Sequence, residues 1–168
     1  MKIGNNLAGS IDNSILFSMD GIIDTNGYNA VLNGDLSGSG KLIKNGTGIL
    51  ELTRASSPSF AGAIINAGEL KVNGVFSNSA VTVNNGAKLT GNGMVGSLTN
   101  LGTVKPGTSL GVIQVATDFD NTNGTYVCEI NRAGGSDLIA VGGTAMLGGL
   151  CMLYLEPVII VVGLLILF

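Results

Sequence analysis

The sequence holds no histidine and no tryptophan, and of its 168 residues only three are proline and two are cysteine. Without histidine the usual general base near neutral pH is missing, and so is the commonest metal-binding side chain. Ser-His-Asp and Cys-His catalysis are therefore excluded, and a zinc site loses its ordinary nitrogen ligand. Charge is scarce as well, at 11% of residues. A net charge of -3 with scattered basic residues leaves no electrostatic footprint for nucleic acid, so none is expected as a partner. Aromatic side chains make up 5% against 45% hydrophobic residues, so small aliphatic groups must fill the interior. Thin, regular layers suit that palette. Two readings stand for Cys128 and Cys151: one disulfide closed in an oxidising compartment, or small buried side chains, and their spacing does not demand the bridge.

What is present in excess is glycine, 27 residues without the every-third spacing of collagen. The stretch "LSGSGKLIKNGTGILEL", residues 36–52, cuts short apolar runs at Gly38, Gly40, Gly46 and Gly48. Each glycine costs a helix interior about 1 kcal/mol relative to alanine, so these positions read as corners between short strands. A glycine leading a short strand recurs as "GILEL" at Gly48, "GELKV" at Gly68, "GAKLT" at Gly86, "GTVKP" at Gly102 and "GTYVCEI" at Gly124, with steps of 20, 18, 16 and 22 residues. Asn-containing turns precede most copies, and Asn and Gly both tolerate left-handed backbone at tight corners.

Side chains alternate across a strand, so after Gly68 the residues Leu70 and Val72 share one face while Glu69 and Lys71 share the other. The same division holds after Gly48 and Gly124, whereas the copy at Gly86 is offset by one residue. A unit this short cannot bury its apolar face alone and must stack on its neighbours. The pattern predicts an all-β parallel β-solenoid in which Leu50, Leu52, Leu70, Val72, Leu89, Val104, Tyr126 and Ile130 point into one interior. The alternative is an antiparallel sandwich, which also has short strands at regular intervals.

Residues 34–74 resemble the passenger-associated strand repeat of bacterial autotransporters. The parts that carry the likeness are the Gly-Ser-Gly at 38–40, the Lys-x-Gly-x-Gly-x-Leu-x-Leu run over 44–52, Phe60 with Gly62, and the Gly-x-Leu-x-Val strand over 68–72. Residues 23–34 are similar to the turn that commonly precedes the repeat, and residues 101–149 look like the final turns of such a passenger. The likeness spans most of the chain from Asp20 to Gly149. It implies a right-handed parallel β-helix, residues 1–149, acting as a stalk at the outer surface of a Gram-negative cell or in a secreted protein. The implied partners are a translocator barrel and a host surface or extracellular matrix, and the implied role is structural, supporting adhesion or secretion without catalysis. The competing reading is a carbohydrate-active β-helix enzyme, a lyase or hydrolase, using carboxylates in a groove along one face.

No secretory leader is visible at Met1 and no barrel follows, so the sequence reads as an internal fragment or a truncated frame. The apolar tail over residues 150–168 is interrupted at Glu156 and Pro157, leaving 158–168 too short to span a bilayer. Its "VIIVV" run is suited to a further strand at the end of the solenoid, and exposed it would drive self-association. A frame change near Cys151 is a third explanation.

No catalytic, cofactor-binding or metal-binding residue is assigned. Asp118 and Asp120 are the single i, i+2 acidic pair; such a pair can bind calcium or act on a sugar, and the alternative, favoured here, is a pair of solvated loop carboxylates near the Asn121 turn. "AGGSDLIAV", residues 133–141, is similar to the glycine-Asp calcium repeats of another β-solenoid class but occurs once and with the wrong spacing, and its "GGSD" reads as the turn between a strand ending at Ile130 and one from Leu138 to Val141. Lys44 reads as a solvated residue that resists edge pairing.

Overall fold

The computed structural model describes residues 1–4, 10–155 and 158–162. These residues are all β, without helix, and stack as a parallel β-solenoid of about seven turns. Among them no helix is long and apolar enough to cross a membrane.

The strands are short, as the glycine spacing requires. The first turns contain β1 (Ser10–Ile11), β2 (Ile15–Leu16), β3 (Gly21–Asp24), β4 (Ala30–Leu32), β5 (Leu36–Ser37), β6 (Lys41–Asn45) and β7 (Ile49–Leu52). The middle turns contain β8 (Gly62–Ile65), β9 (Gly68–Val72), β10 (Val75–Val83), β11 (Ala87–Thr90), β12 (Met94–Asn100) and β13 (Thr103–Val104). Then come β14 (Val112–Val115), β15 (Phe119–Asn121), β16 (Thr125–Ile130), β17 (Leu138–Val141), β18 (Ala145–Leu147), β19 (Leu150–Leu155) and β20 (Val158–Val162).

One sheet runs β1-β4-β7-β9-β11-β13-β16-β19-β20 and the facing sheet runs β17-β14-β12-β10-β8-β6-β3, with β15 and β18 extending it beside β12. A third, two-stranded sheet joins β2 to β5. Within these sheets every pairing is parallel except that of β20 on β19, which is antiparallel. A sandwich built from hairpins is thereby ruled out, since each strand pairs with its counterpart one turn away.

The register explains the core. Ala30, Leu50, Leu70, Leu89 and Val104 lie over one another on successive strands and are all buried, at 0 to 3% exposure. Leu32, Leu52 and Val72 form a second buried file beside them. The facing sheet supplies Leu42, Ala63, Val81, Leu98 and Phe119. Small aliphatic groups suffice because stacked identical positions fill one another's gaps. Three of the five phenylalanines gather in one place, with Phe60 5.5 Å from Phe17 and 6.3 Å from Phe76 between centroids.

The apparent offset at Gly86 disappears in the register. Ala87, not Gly86, sits opposite Gly68, so Leu89 lies on Leu70. The turn is one residue longer there, and Gly86 absorbs it with φ of +81°. At Gly62, with φ of +128°, a Cβ would collide with the Ala80 carbonyl of the next turn. Consecutive turns are a strand spacing apart, which leaves no room for a side chain at such a corner.

Tyr126 and Ile130 face the same interior but are only half-buried. They belong to the last stacked turns, where the interior is incompletely covered. The stretch from Leu150 to Leu155 continues the ladder as β19, parallel to β16, and the "VIIVV" run forms β20 folded back on it. Residues 163–168 of the apolar tail lie outside the described residues.

Candidate functional site

Outward-facing positions carry the polar residues, and the parallel register decides which of them meet. Glu51 pairs with Lys71 at 3.4 Å, Glu69 with Lys88 at 3.9 Å, and Glu129 with Lys105 at 2.8 Å. Each pair links one turn to the next. Asparagines do the same at the corner after the facing sheet: Asn66 Nδ2 donates to Asn45 Oδ1 at 2.9 Å, and Asn84 Nδ2 to Asn66 Oδ1 at 2.7 Å. Ladders of this kind tie stacked strands together and leave the carboxylates neutralised rather than gathered.

Lys44 is the clearest departure from the sequence reading. It is not solvated: it faces inward, at 0% exposure, in file between Ile23 and Ile65. Its ammonium donates to the carbonyls of Asn45 at 3.1 Å, Gly46 at 2.8 Å and Ala67 at 2.9 Å, joining the corners of two turns. Burial pushes the Lys44 ammonium down to about 8, opposed by the charges of Asp24 and Glu69. Alternation from Leu42 contains the signal, because residue 44 must share the face of residue 42.

Three turns further on, the same inward file holds Asn100 and then Asn121. Asn100 Nδ2 donates to Asn121 Oδ1 at 2.6 Å and to the Thr125 carbonyl at 3.0 Å, while its Oδ1 accepts from Gly102 N–H at 3.1 Å. Among the described residues no buried side-chain nitrogen or oxygen lacks a partner.

Two concavities lie at the carboxyl-terminal end. The first is a surface groove of about 450 Å³ lined by Ser109, Leu110, Glu129, Ile130, Asn131, Arg132 and Tyr154. Glu129 is the single acid in that lining and is already held by Lys105. Glycoside hydrolysis by the usual route uses two carboxyl groups about 5 to 9.5 Å apart, one on each side of the scissile bond. The groove supplies one carboxylate, already ion-paired, instead.

The second concavity is the interior of the last turn, about 300 Å³, lined mainly by Phe119, Tyr126, Ile139, Val141, Leu147 and Leu153, with Cys128 and Cys151 among them. Both cysteines are buried and free. Burial pushes both thiols up, and for Cys151 the neighbouring Cys128 adds to it. Thiols held protonated in this way are poor nucleophiles. Asp137, buried at 3% exposure, accepts from Gly111 N–H and Glu129 N–H, each at 2.8 Å. Burial raises its carboxyl above the usual range against those two bonds. Its backbone carbonyl takes the Tyr126 hydroxyl at 3.2 Å. The Gly-Gly-Ser-Asp at 134–137 is thus in the turn between β16 and β17, closed by the Asp137 carboxylate, and residues 138–141 are β17 itself.

Asp118 and Asp120 flank the inward Phe119 and point outward. Asp118 accepts from Thr144 N–H at 2.8 Å, and Asp120 accepts from Thr122 N–H at 2.9 Å and its hydroxyl at 2.8 Å. These bonds hold the Asp120 carboxyl below its ordinary range. Among the described residues no group of three or more acidic or cysteine side chains is placed to hold a metal ion. The whole assembly is held by backbone ladders, cross-turn ion pairs and small inward side chains. No protein-family model matches the chain, and no curated protein matches it.

Proposed function

We propose that the chain is a structural, display segment of an autotransporter passenger, a stalk that holds an adhesive or other domain away from the cell surface. The observation that carries this reading is the ordered series of motifs over residues 34–74, one after another in consecutive turns of a parallel β-solenoid. The outward ladders of Glu with Lys and Asn with Asn suit a stalk, since they stiffen the stack without forming a reactive cleft. A carbohydrate-active enzyme would need opposed carboxylates, and the groove at Glu129 is lined by one.

The test is display. The coding segment, placed between a secretory leader and a translocator barrel, should be reached by added protease on intact cells. The flanking genomic sequence should encode a leader upstream and alternating ten-residue strands downstream. Retention of the segment inside the cell, together with flanks encoding neither element, would overturn the reading. Release of reducing sugar from polysaccharide by the purified chain would put the enzyme in its place.

A further inference from the structure

Asparagine followed by glycine occurs seven times, at Asn26, Asn33, Asn45, Asn73, Asn85, Asn92 and Asn123. Asparagine is chemically least stable in this context, because glycine puts no side chain in the way of its own nitrogen. That nitrogen can attack the carbonyl carbon of the asparagine side chain. The reaction requires an asparagine side chain free to swing and a glycine N–H without an acceptor, and the corners of the solenoid meet that requirement unequally.

At three of the seven the glycine amide is held: Gly34 N–H donates to the Ile11 carbonyl at 3.3 Å, Gly74 N–H to the Leu52 carbonyl at 3.2 Å and Gly93 N–H to the Val72 carbonyl at 2.8 Å. The asparagines before them are tied as well. Asn33 Nδ2 donates to Asp12 at 2.9 Å, Asn73 Nδ2 to Glu51 at 2.7 Å, and Asn92 Oδ1 accepts from Val112 N–H at 3.1 Å. Asn45 is held in the corner ladder by Asn66. Asn26 N–H donates to the Asp24 carboxylate at 2.8 Å, a charge that opposes proton loss at the next amide. After Asn123, Gly124 is buried and packed so closely that a Cβ there would collide with the Asn100 side chain.

Asn85 and Gly86 escape all of these restraints. They form the tip of the corner between β10 and β11, and both are exposed. The turn is closed by its flanks instead, with Ala87 N–H donating to the Asn84 carbonyl at 2.9 Å and Asn84 Nδ2 to Asn66 at 2.7 Å. A four-residue turn bonded in that way leaves the amide of its third residue outside the closing bond. Among the described residues neither the Gly86 N–H nor the Asn85 side chain has a hydrogen-bond partner. A side chain at Gly86 would meet nothing within 4 Å, so the tip has room to move.

We propose that this corner is a self-modification site, at which the chain converts Asn85 to isoaspartate and aspartate through a cyclic imide with Gly86. The Gly86 nitrogen gives up its proton to solvent and bonds to Cγ of Asn85. The Cγ–Nδ2 bond then breaks and the side-chain nitrogen leaves as ammonia. Water, the single co-reactant, opens the ring. Entry at Cγ gives aspartate, and entry at the main-chain carbonyl carbon gives isoaspartate, whose backbone runs through Cβ and Cγ and is longer by one methylene. Either product adds a negative charge at the tip. The open space around Gly86 lets the corner take up the longer backbone without disturbing β11. The inference rests on this corner and is independent of the role proposed above.

The full chain, held folded in mildly alkaline buffer and then digested for peptide mapping, should show Asn85 converting at least about fivefold faster than any of the other six, each of which must first give up a hydrogen bond or a packed position. In the denatured chain that ratio should fall to near one, since the advantage belongs to the fold. Residue 85 should be recovered as isoaspartate as well as aspartate, which separates the cyclic route from direct hydrolysis. Asn85→Gln, whose side chain would have to close a larger ring, should lose the main acidic species on ion exchange and keep the β circular dichroism. Equal rates at Asn85 and the held sites, a ratio unchanged by denaturation, aspartate alone at residue 85, or the same acidic species from the glutamine variant would each overturn the proposal.

Discussion

Lys44 sits where its neighbours in the same file are isoleucine, and its three carbonyl bonds explain how an ammonium is tolerated there. With a folded value near 8 against an ordinary 10.5, the unfolded chain binds more protons between those limits. The lysine's contribution is thus most favourable above pH 10.5 and is lost as pH falls to about 8. Compared with Lys44→Met, which keeps the same thiols and phenol, the native protein should gain up to about 3 kcal/mol on going from pH 8 to 10.5, read by urea titration at each pH. A flat difference would mean that the carbonyls hold the proton as firmly as water does. Leu70→Ala should cost about 2 to 5 kcal/mol as a buried truncation. Lys71→Ala, which loses a partly exposed pair with Glu51, should stay within about 1 kcal/mol. Equal costs would reverse the inside and outside assignment. Cys128 and Cys151 should alkylate at pH 8 at least about tenfold more slowly in the native protein than after denaturation.

At the level of strands and corners, the alternation after Gly48 and Gly68 reads correctly because each strand has one wet and one buried face, and Leu50, Leu70 and Leu89 do fall in one file. Lys44 departs from the pattern because a charged side chain ordinarily marks the wet face, whereas alternation from Leu42 places residue 44 inside. The groove at Glu129 and Arg132 was not legible, since it joins residues from separate turns and loops. Corners separate two kinds of glycine. Gly86→Ala meets open space and bears the left-handed strain alone, about 1 to 2 kcal/mol. Gly62→Ala adds a collision with the Ala80 backbone and should cost more than about 3 kcal/mol, enough to disturb the adjoining turns. Thermal unfolding of the two variants checks the order.

As a whole the molecule is a one-dimensional stack, in which each turn is stabilised by the turns on either side. Amide exchange should therefore be slowest in the central strands β7, β9 and β11 and fastest in β1 and β2, each two residues long with one paired neighbour. Uniform protection from end to end would show a cooperativity that nearest-neighbour stacking does not supply. The sequence by itself determined that the chain would be β, with short strands turned at glycine and asparagine, and that Leu50, Leu70 and their counterparts would face a common core. Those properties follow from backbone permissiveness and two-residue alternation, which are local. Only the tertiary structure decided the register between turns, and with it the pairing of Glu51 with Lys71 and the burial of Lys44 among corner carbonyls. Such relations depend on how many residues each corner consumes, and a one-residue change of the kind absorbed at Gly86 shifts every cross-turn contact on the strand that follows.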